Sequence, residues 1–333
     1  YDREHIDLPA VQLELLDAVL EANPNTVVVL SNGSVVALPF AGRVPAILEG
    51  WLLGQAGGGA IADVLYGDVN PSAKLTETIP VRLEDTPAFL NFPGEDGHVR
   101  YGEGLFVGYR WFDARNLEVS YPFGHGLPYT TFAYGDAAAS VNADGDIEVR
   151  VTITNTGERA GREVVQAYTG LASGAVQRPE RELKAFALVS LEAGESREVV
   201  LVIRRADLAY WNVRADRWIV EGGAYTVDVA ASSRDIRSTV TVDVAGDVVV
   251  MTLTRESSMA EVMAHPVAGP IVQQTMAQMA SAMGDMSSIL PDGVDPAKMM
   301  ASFPIGRISM IAGDSFGPEQ IDQLLAMANA PQG

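Results

Sequence analysis

Residues 47–80, ILEGWLLGQAGGGAIADVLYGDVNPSAKLTETIP, decide the fold. An apolar run ends at Trp51, and a glycine-rich turn follows at Gly54–Gly59. In AIADVLYG, Ile61, Val64 and Leu65 recur at helical spacing while Asp63 and Asp68 fall elsewhere, which predicts a short amphipathic helix. Gly67 ends it, and Asn70-Pro71 makes a turn that stops it continuing. The stretch therefore reads as strand, tight turn, helix, turn, one unit of an α/β layer. Its neighbours upstream agree. Gln12–Ala22 carries Leu13, Leu16, Val19 and Leu20 on one helical face. Thr26–Leu30, TVVVL, is a β-branched run of the kind expected of a parallel strand buried on both faces. Ala46–Trp51 is expected to be the next strand. Loops at the carboxyl ends of parallel strands are where ligands bind. Ser31 and Asn32 could face one, or Ser31-Asn32-Gly33 could be a plain turn.

A glycine-rich turn before a helix could cradle a phosphate. Here there is no G-x-G-x-x-G in the right frame and no G-K-[ST]. Glycines that let a helix pack close to a strand are the better reading. Composition bounds the rest. The 333 residues allow two or three domains, and at 47% hydrophobic they can bury large cores. The net charge of −20 repels nucleic-acid phosphates and anionic membranes, but not neutral sugars. No apolar run approaches the ~20 residues of a membrane span. The chain has no cysteine, which excludes disulfides and thiolate ligands. His5, His98, His125 and His265 lack ligand spacing, so no metal and no cofactor is expected.

Downstream, Pro80–Arg100 is rich in proline, glycine and acids and reads as a long loop. In Arg100–Asp113, Tyr109, Trp111 and Phe112 cluster around Arg110. Aromatics beside polar groups suit sugar stacking, although most in such a segment belong to a core. Glu103 reads as a loop anchor and His125 as a packed loop histidine. From Asp136 the texture changes. IEVRVTIT at Ile147–Thr154 alternates with period two. Further short strands are expected at Val164–Tyr168, Ala185–Leu191, Glu198–Ile203, Trp218–Val220, Tyr225–Ala230 and Ser238–Val244, a β-sandwich pattern. All 11 methionines lie from Met251 to Met327. Ser258–Met263, Pro270–Met283 and Gln320–Ala328 read as short helices, with the methionines as adaptable core packing.

These motifs carry a resemblance. W-x-x-G-Q-x-G-G-x-A-x-A-D-V-L-x-G-x-x-N-P-S from Trp51 resembles the C-terminal α/β sandwich domain of glycoside hydrolase family 3, which holds β-glucosidases and β-xylosidases. Ala73 stands where the family usually has glycine, and Thr76 where it has proline. R-Y-G-E-G-L-F-V-G-Y-R from Arg100 and Y-P-F-G-H-G-L-P-Y-T-T-F from Tyr121 are similar to the same domain, with Pro128 in place of a usual serine. T-N-T-G at Thr154, E-V-V-Q-A-Y at Glu163, R-P-E-R-E-L-K-A-F at Arg178 and A-S-S-R-D-I at Ala231 resemble the fibronectin type III-like domain that follows it. The implied fold is α/β plus all-β. A partial, flavodoxin-like α/β sandwich at 1–135 is followed by a fibronectin type III-like β-sandwich at 136–250 and a Met-rich helical extension at 251–333.

Cleaving a glycosidic bond takes two carboxyl groups. The resemblance places neither inside this chain. YDREHIDLP at the start matches the end of a loop whose glutamate, the family's acid/base, would lie two positions before Tyr1. The nucleophilic aspartate belongs to a (β/α)8 barrel that normally precedes this region. The chain is thus expected to be part of something longer. Tyr1 is the one substrate-binding candidate, lining the leaving-group side or packing as a surface aromatic, with Asp2 and Arg3 as a structural pair. The implied parent is a retaining, exo-acting β-glycosidase of β-glucosidase type. Its partners would be a β-glucoside and the barrel, from the same or a companion chain, with a homo-oligomer possible in principle. The competing reading is a non-catalytic carbohydrate-binding or structural module. That would need a row of exposed aromatics, for which Trp211 and Trp218 are the candidates.

Overall fold

The computed structural model describes residues 4–172, 174, 176–283, 301–308 and 317–330. The chain divides into two compact units, 1–210 with 219–247, and 211–218 with 248–333.

The first unit opens with the α/β layer. Helix α1 (Ala10–Ala22) precedes strand β1 (Val27–Leu30), which pairs in parallel with β2 (Ala46–Glu49) in the register Val27↔Ala46 to Leu30↔Glu49. Helix α2 (Gly57–Leu65) follows. It starts three residues earlier than the apolar periodicity suggests, because Gly57–Gly59 join the first turn. At its end Tyr66 caps it and Gly67 takes the left-handed conformation, φ 80°, that a helix-stopping glycine supplies. The small core beneath this layer gathers Leu30, Val36, Leu38, Phe40 and Ile79, with Leu13, Leu16 and Val28 packed against it.

The expectation that TVVVL is buried on both faces does not hold. Val28 is half-buried and Leu30 buried, but Val27 and Val29 are 48% and 38% exposed. Alternation along a strand puts 27 and 29 on the face opposite α1's contacts, and among the described residues no second layer covers that face. The same one-sided cover explains α1. Leu13, Leu16 and Leu20 are half-buried, Val11 and Leu15 are exposed, and Val19, expected on the buried face, is 40% exposed. The strand expected to run to Trp51 stops at Glu49, where the backbone turns.

Strands β3 (Ile79–Pro80) and β4 (Val119–Tyr121) pair antiparallel, bracketing a long excursion that contains helix α3 (Tyr109–Ala114). The sandwich then takes over. One sheet comprises β5 (Phe132–Tyr134), β6 (Ala138–Val141), β7 (Ile147–Asn155) and β10 (Ser196–Ile203), with β7 bonded to the other three. The second has the order β14-β13-β8-β9, from β8 (Gly161–Gly170), β9 (Glu182–Leu191), β13 (Gly223–Ser232) and β14 (Asp235–Val244). Ile147, Val149, Val151 and Ile153 all point inward from β7 and are at most 1% exposed. They meet Val165, Ala167, Val227 and Val229 of the other sheet in one continuous core. Strands β5 and β6, and β11 (Tyr210–Asn212) in its hairpin with β12 (Arg217–Ile219), carry too few residues to show a period in the sequence.

In the second unit, α4 (Met259–Ala264), α5 (Ala268–Met283) and α6 (Pro318–Ala328) form a helical cluster around Met259, Val262, Val272, Ile305, Ile321 and Leu324. Helix α4 starts with a capping box, Ser258 to Glu261 and back, which satisfies two orphan N–H groups. Asn329 closes the cluster by donating to Leu253 O at 2.7 Å and accepting from Leu253 N at 2.8 Å. The methionines divide. Met259 is core and Met276 packs against it, whereas Met263 and Met327 are 39% and 51% exposed. Met286, Met299, Met300 and Met310 lie outside the described residues.

Candidate functional site

The carboxyl edge of the β1–β2 pair is built by close backbone approach. Gly50 N donates to Leu30 O at 3.0 Å, tying the strand ends together. A Cβ on Gly50 would sit 2.9 Å from that same oxygen, so only glycine fits. Ser31 Oγ donates to Trp51 O at 3.3 Å, and Trp51 N donates to Glu49 Oε1 at 2.9 Å. Trp51 takes φ 51°, a left-handed conformation that a bulky L-residue adopts at a cost of about 1–3 kcal/mol. Beside it Asn32 donates through Nδ2 to Ser34 O at 2.9 Å, but its buried Oδ1 accepts from no protein group. A strained aromatic and an unpartnered amide oxygen thus share this edge. The strain at Trp51 carries no sequence signal, because φ follows from how the chain closes around Gly50.

The opening segment is delivered close to this edge. Ile6 is buried, its carbonyl accepts from Ala37 N at 2.8 Å, and Leu8 packs on the core under β1. Tyr1 lies outside the described residues, as do Asp2 and Arg3. The glycines of Gly54–Gly59 do not line a cradle. Gly57 is filled by Leu53, whose Cβ lies 2.6 Å from where a Cβ would be, and Gly58 and Gly59 face open space.

The aromatic cluster at 109–112 serves packing. Tyr109 stacks on Phe123 at 4.7 Å and meets Tyr168 edge-on at 5.9 Å, and its hydroxyl accepts from Leu183 N at 2.8 Å. Trp111 Nε1 donates to Asp85 O at 2.8 Å while Arg115 lies over its ring. The contacts of Tyr109 with Tyr168 and Leu183 bind the excursion to the outer side of the β8–β9 sheet, while those of Trp111 stay within the excursion. Asp113, with its carboxyl pKa raised by burial, receives Arg234 at 2.8 Å across the same seam. Lys74 and Glu163 join there at 2.9 Å, both nearly buried. His125 is packed as expected. Its carbonyl accepts from Leu75 N at 2.7 Å, and burial, helped by Lys74, lowers its pKa. Glu103 has a buried Oε2 with no protein partner. By contrast, Leu90, Phe92, Tyr101 and Leu105 of the excursion are exposed, Tyr101 by 84%. Trp211 and Trp218 are exposed too, but their rings stand 78° apart at 5.7 Å, which is a corner and not a flat row. Among the described residues no group of three or more potential metal ligands comes together, and no helix is long and apolar enough to cross a membrane.

Comparison with known proteins assigns this arrangement. Residues 1–129 match the glycosyl hydrolase family 3 C-terminal domain, and residues 163–233 match the fibronectin type III-like domain. The chain belongs to glycoside hydrolase family 3. It is 42% identical to an exo-α-(1→6)-L-arabinopyranosidase of Bifidobacterium longum over 98% of its own length. It is 40% identical to thermostable β-glucosidase B of Acetivibrio thermocellus over 93%. In each case it spans 42% of the relative, so it corresponds to less than half of these curated proteins. Among solved structures, the family 3 β-glucosidase of Bifidobacterium adolescentis superposes with TM-score 0.78 at 48% identity, over 82% of this chain and 40% of that one. β-Glucosidase 3B of Thermotoga neapolitana, solved with glucose, gives 0.68 at 40% identity, over 74% of this chain and 35% of that one. The two layers of the family 3 C-terminal half, α/β and fibronectin type III-like, are the architecture described above.

Proposed function

We propose that this chain is the bracing, C-terminal part of a retaining, exo-acting β-glycosidase that takes a β-glucoside. The observation that carries the reading is the family match over nearly the whole chain joined to less than half of each relative. Those relatives are glycosidases named for different sugars, an arabinopyranoside in one and glucosides in others.

In this reading the working division is 1–135 for the α/β half-domain, 136–250 for the sandwich and 251–333 for the helical extension. On the same reading both reacting carboxyl groups would lie outside the 333 residues, the acid/base on a loop just before Tyr1 and the nucleophile on a barrel. The chain's task is then mechanical and electrostatic. It holds the acid/base loop through Ile6 and Leu8, and it brings the carboxyl edge of β1 and β2 up to the cleft. Exposed Val27 and Val29, on the strand face that no described layer covers, support this. Tyr1 would line the leaving-group side. The corner formed by Trp211 and Trp218 weighs against a stand-alone carbohydrate-binding module, because flat stacking needs coplanar rings.

The test is hydrolysis of an aryl β-glucoside. The 333-residue chain alone should show no turnover above buffer. A polypeptide that adds a family 3 barrel and acid/base loop ahead of Tyr1 should show it. Turnover by the purified chain, abolished by no change upstream, would refute the reading.

A further inference from the structure

Within the first unit, residues 82–91 and 111–117 meet around a cavity of about 400 Å³ that the function above does not use. Its size falls in the range of small-molecule sites. The wall is largely apolar. Pro87, Phe89, Leu90, Trp111 and Leu117 line it, and Leu90 is 90% exposed. Apolar side chains around an opening stay in contact with water until something covers them. Several polar groups of the wall are already engaged. Trp111 Nε1 donates to Asp85 O at 2.8 Å, Thr86 Oγ1 donates to Leu83 O at 2.8 Å, and Arg82 pairs with Asp85 at 2.9 Å.

Arg115 differs from these. It is exposed, and its guanidinium lies over the Trp111 ring at 5.0 Å from the centroid. Among the described residues its guanidinium has no hydrogen-bond acceptor and no carboxylate partner. A planar guanidinium can stack on an aromatic ring through either face. Trp111 takes one face, which leaves the other open to a ring arriving from solvent. The wall's charges say what that ring belongs to. Arg82 and Asp85 cancel, and Glu84 balances Arg115. A wall of zero net charge favours neither an anion nor a cation. What fits is a neutral molecule that carries an aromatic ring.

We propose that this cavity binds the ring of a neutral aryl compound, such as an aryl glycoside, between Arg115 and the apolar wall. The proposal stands apart from the catalytic reading, because binding to the 333-residue chain is measured without turnover.

The test is a titration of the 333-residue chain with phenyl β-glucoside, followed through the indole N–H resonance of Trp111. That resonance, assigned by its loss in Trp111→Phe, should move to a plateau. Methyl β-glucoside has the sugar without the ring and should leave it in place. Arg115→Lys keeps the charge but removes the plane, and it should weaken binding roughly fivefold, the effect of one exposed cation–π contact. Leu90→Asp puts a charge on the apolar rim and should also weaken it. Both positions are exposed, and unchanged melting temperatures show that the variants fold. The proposal is overturned if phenyl β-glucoside leaves the Trp111 resonance unmoved up to its solubility limit. It is equally overturned if methyl β-glucoside moves that resonance as far, or if both folded variants bind as the parent does.

Discussion

The sandwich and the α/β layer both carry β-branched apolar residues on their strands, yet only one of them is closed. On β7 each inward residue meets the facing sheet, and Ile147 and Ile153 are wholly buried. On β1 the same kind of residue, Val29, is 38% exposed, and α1 has no buried residue. The difference lies in the number of layers available. Burial of a side chain of this size contributes about 1.5–3 kcal/mol when complete, and the sandwich collects it on two sheets facing each other. A two-stranded parallel pair covered on one side collects half. The sandwich therefore has the means to hold itself together, while the α/β layer leans on it through the seam of Lys74, Asp113 and Tyr109, joined by Gln166, whose Nε2 donates to Gly124 O at 3.2 Å.

That contrast can be broken first at the seam. Lys74→Met leaves Glu163 buried opposite no cation, and removing one partner of a buried pair costs about 3–5 kcal/mol. The midpoint of urea unfolding should fall accordingly. If it barely moves, the α/β layer does not depend on its contact with β8, and the asymmetry drawn above is wrong. Next comes the core itself. Ile153→Ala should cost about 2–5 kcal/mol, whereas Val29→Ala should stay within about 0.5 kcal/mol. Equal losses at the two positions would mean that Val29 is covered in solution.

How far the sequence showed all this follows the same division. The sandwich strands were legible because strict alternation over eight or more residues has one reading, as in Ile147–Asn155. Strand β1 was legible as a strand, but its exposure was not. A run of valines has the same pattern whether one or two layers cover it. The aromatics at 109–112 were ambiguous for a related reason. Tyr109 and Trp111 each have a polar tip that suits either a sugar or a backbone partner, and only the packing against Phe123 and Asp85 decides between them. The site was least legible. Gly50 and Trp51 sat inside the decisive stretch, but a left-handed tryptophan leaves no trace in composition or period.

The smallest expected effect concerns how the seam responds to protons. His125 sits beside the Tyr121 ring at 5.1 Å, with burial and then Lys74 lowering its pKa below the ordinary value of about 6.5, partly opposed by Asp235. A histidine whose folded pKa is lowered binds more protons when unfolded. Its contribution to stability is therefore complete above the unfolded value and is lost as pH falls through the folded one. Urea midpoints of the parent chain should rise between about pH 5 and pH 7.5 relative to His125→Asn, in which this component is gone. Subtracting one curve from the other removes the carboxylates and the other three histidines. A flat difference would place His125 in water. The α/β layer would then be open even where it meets the sandwich, and the closed seam that separates the two regions in behaviour would not exist.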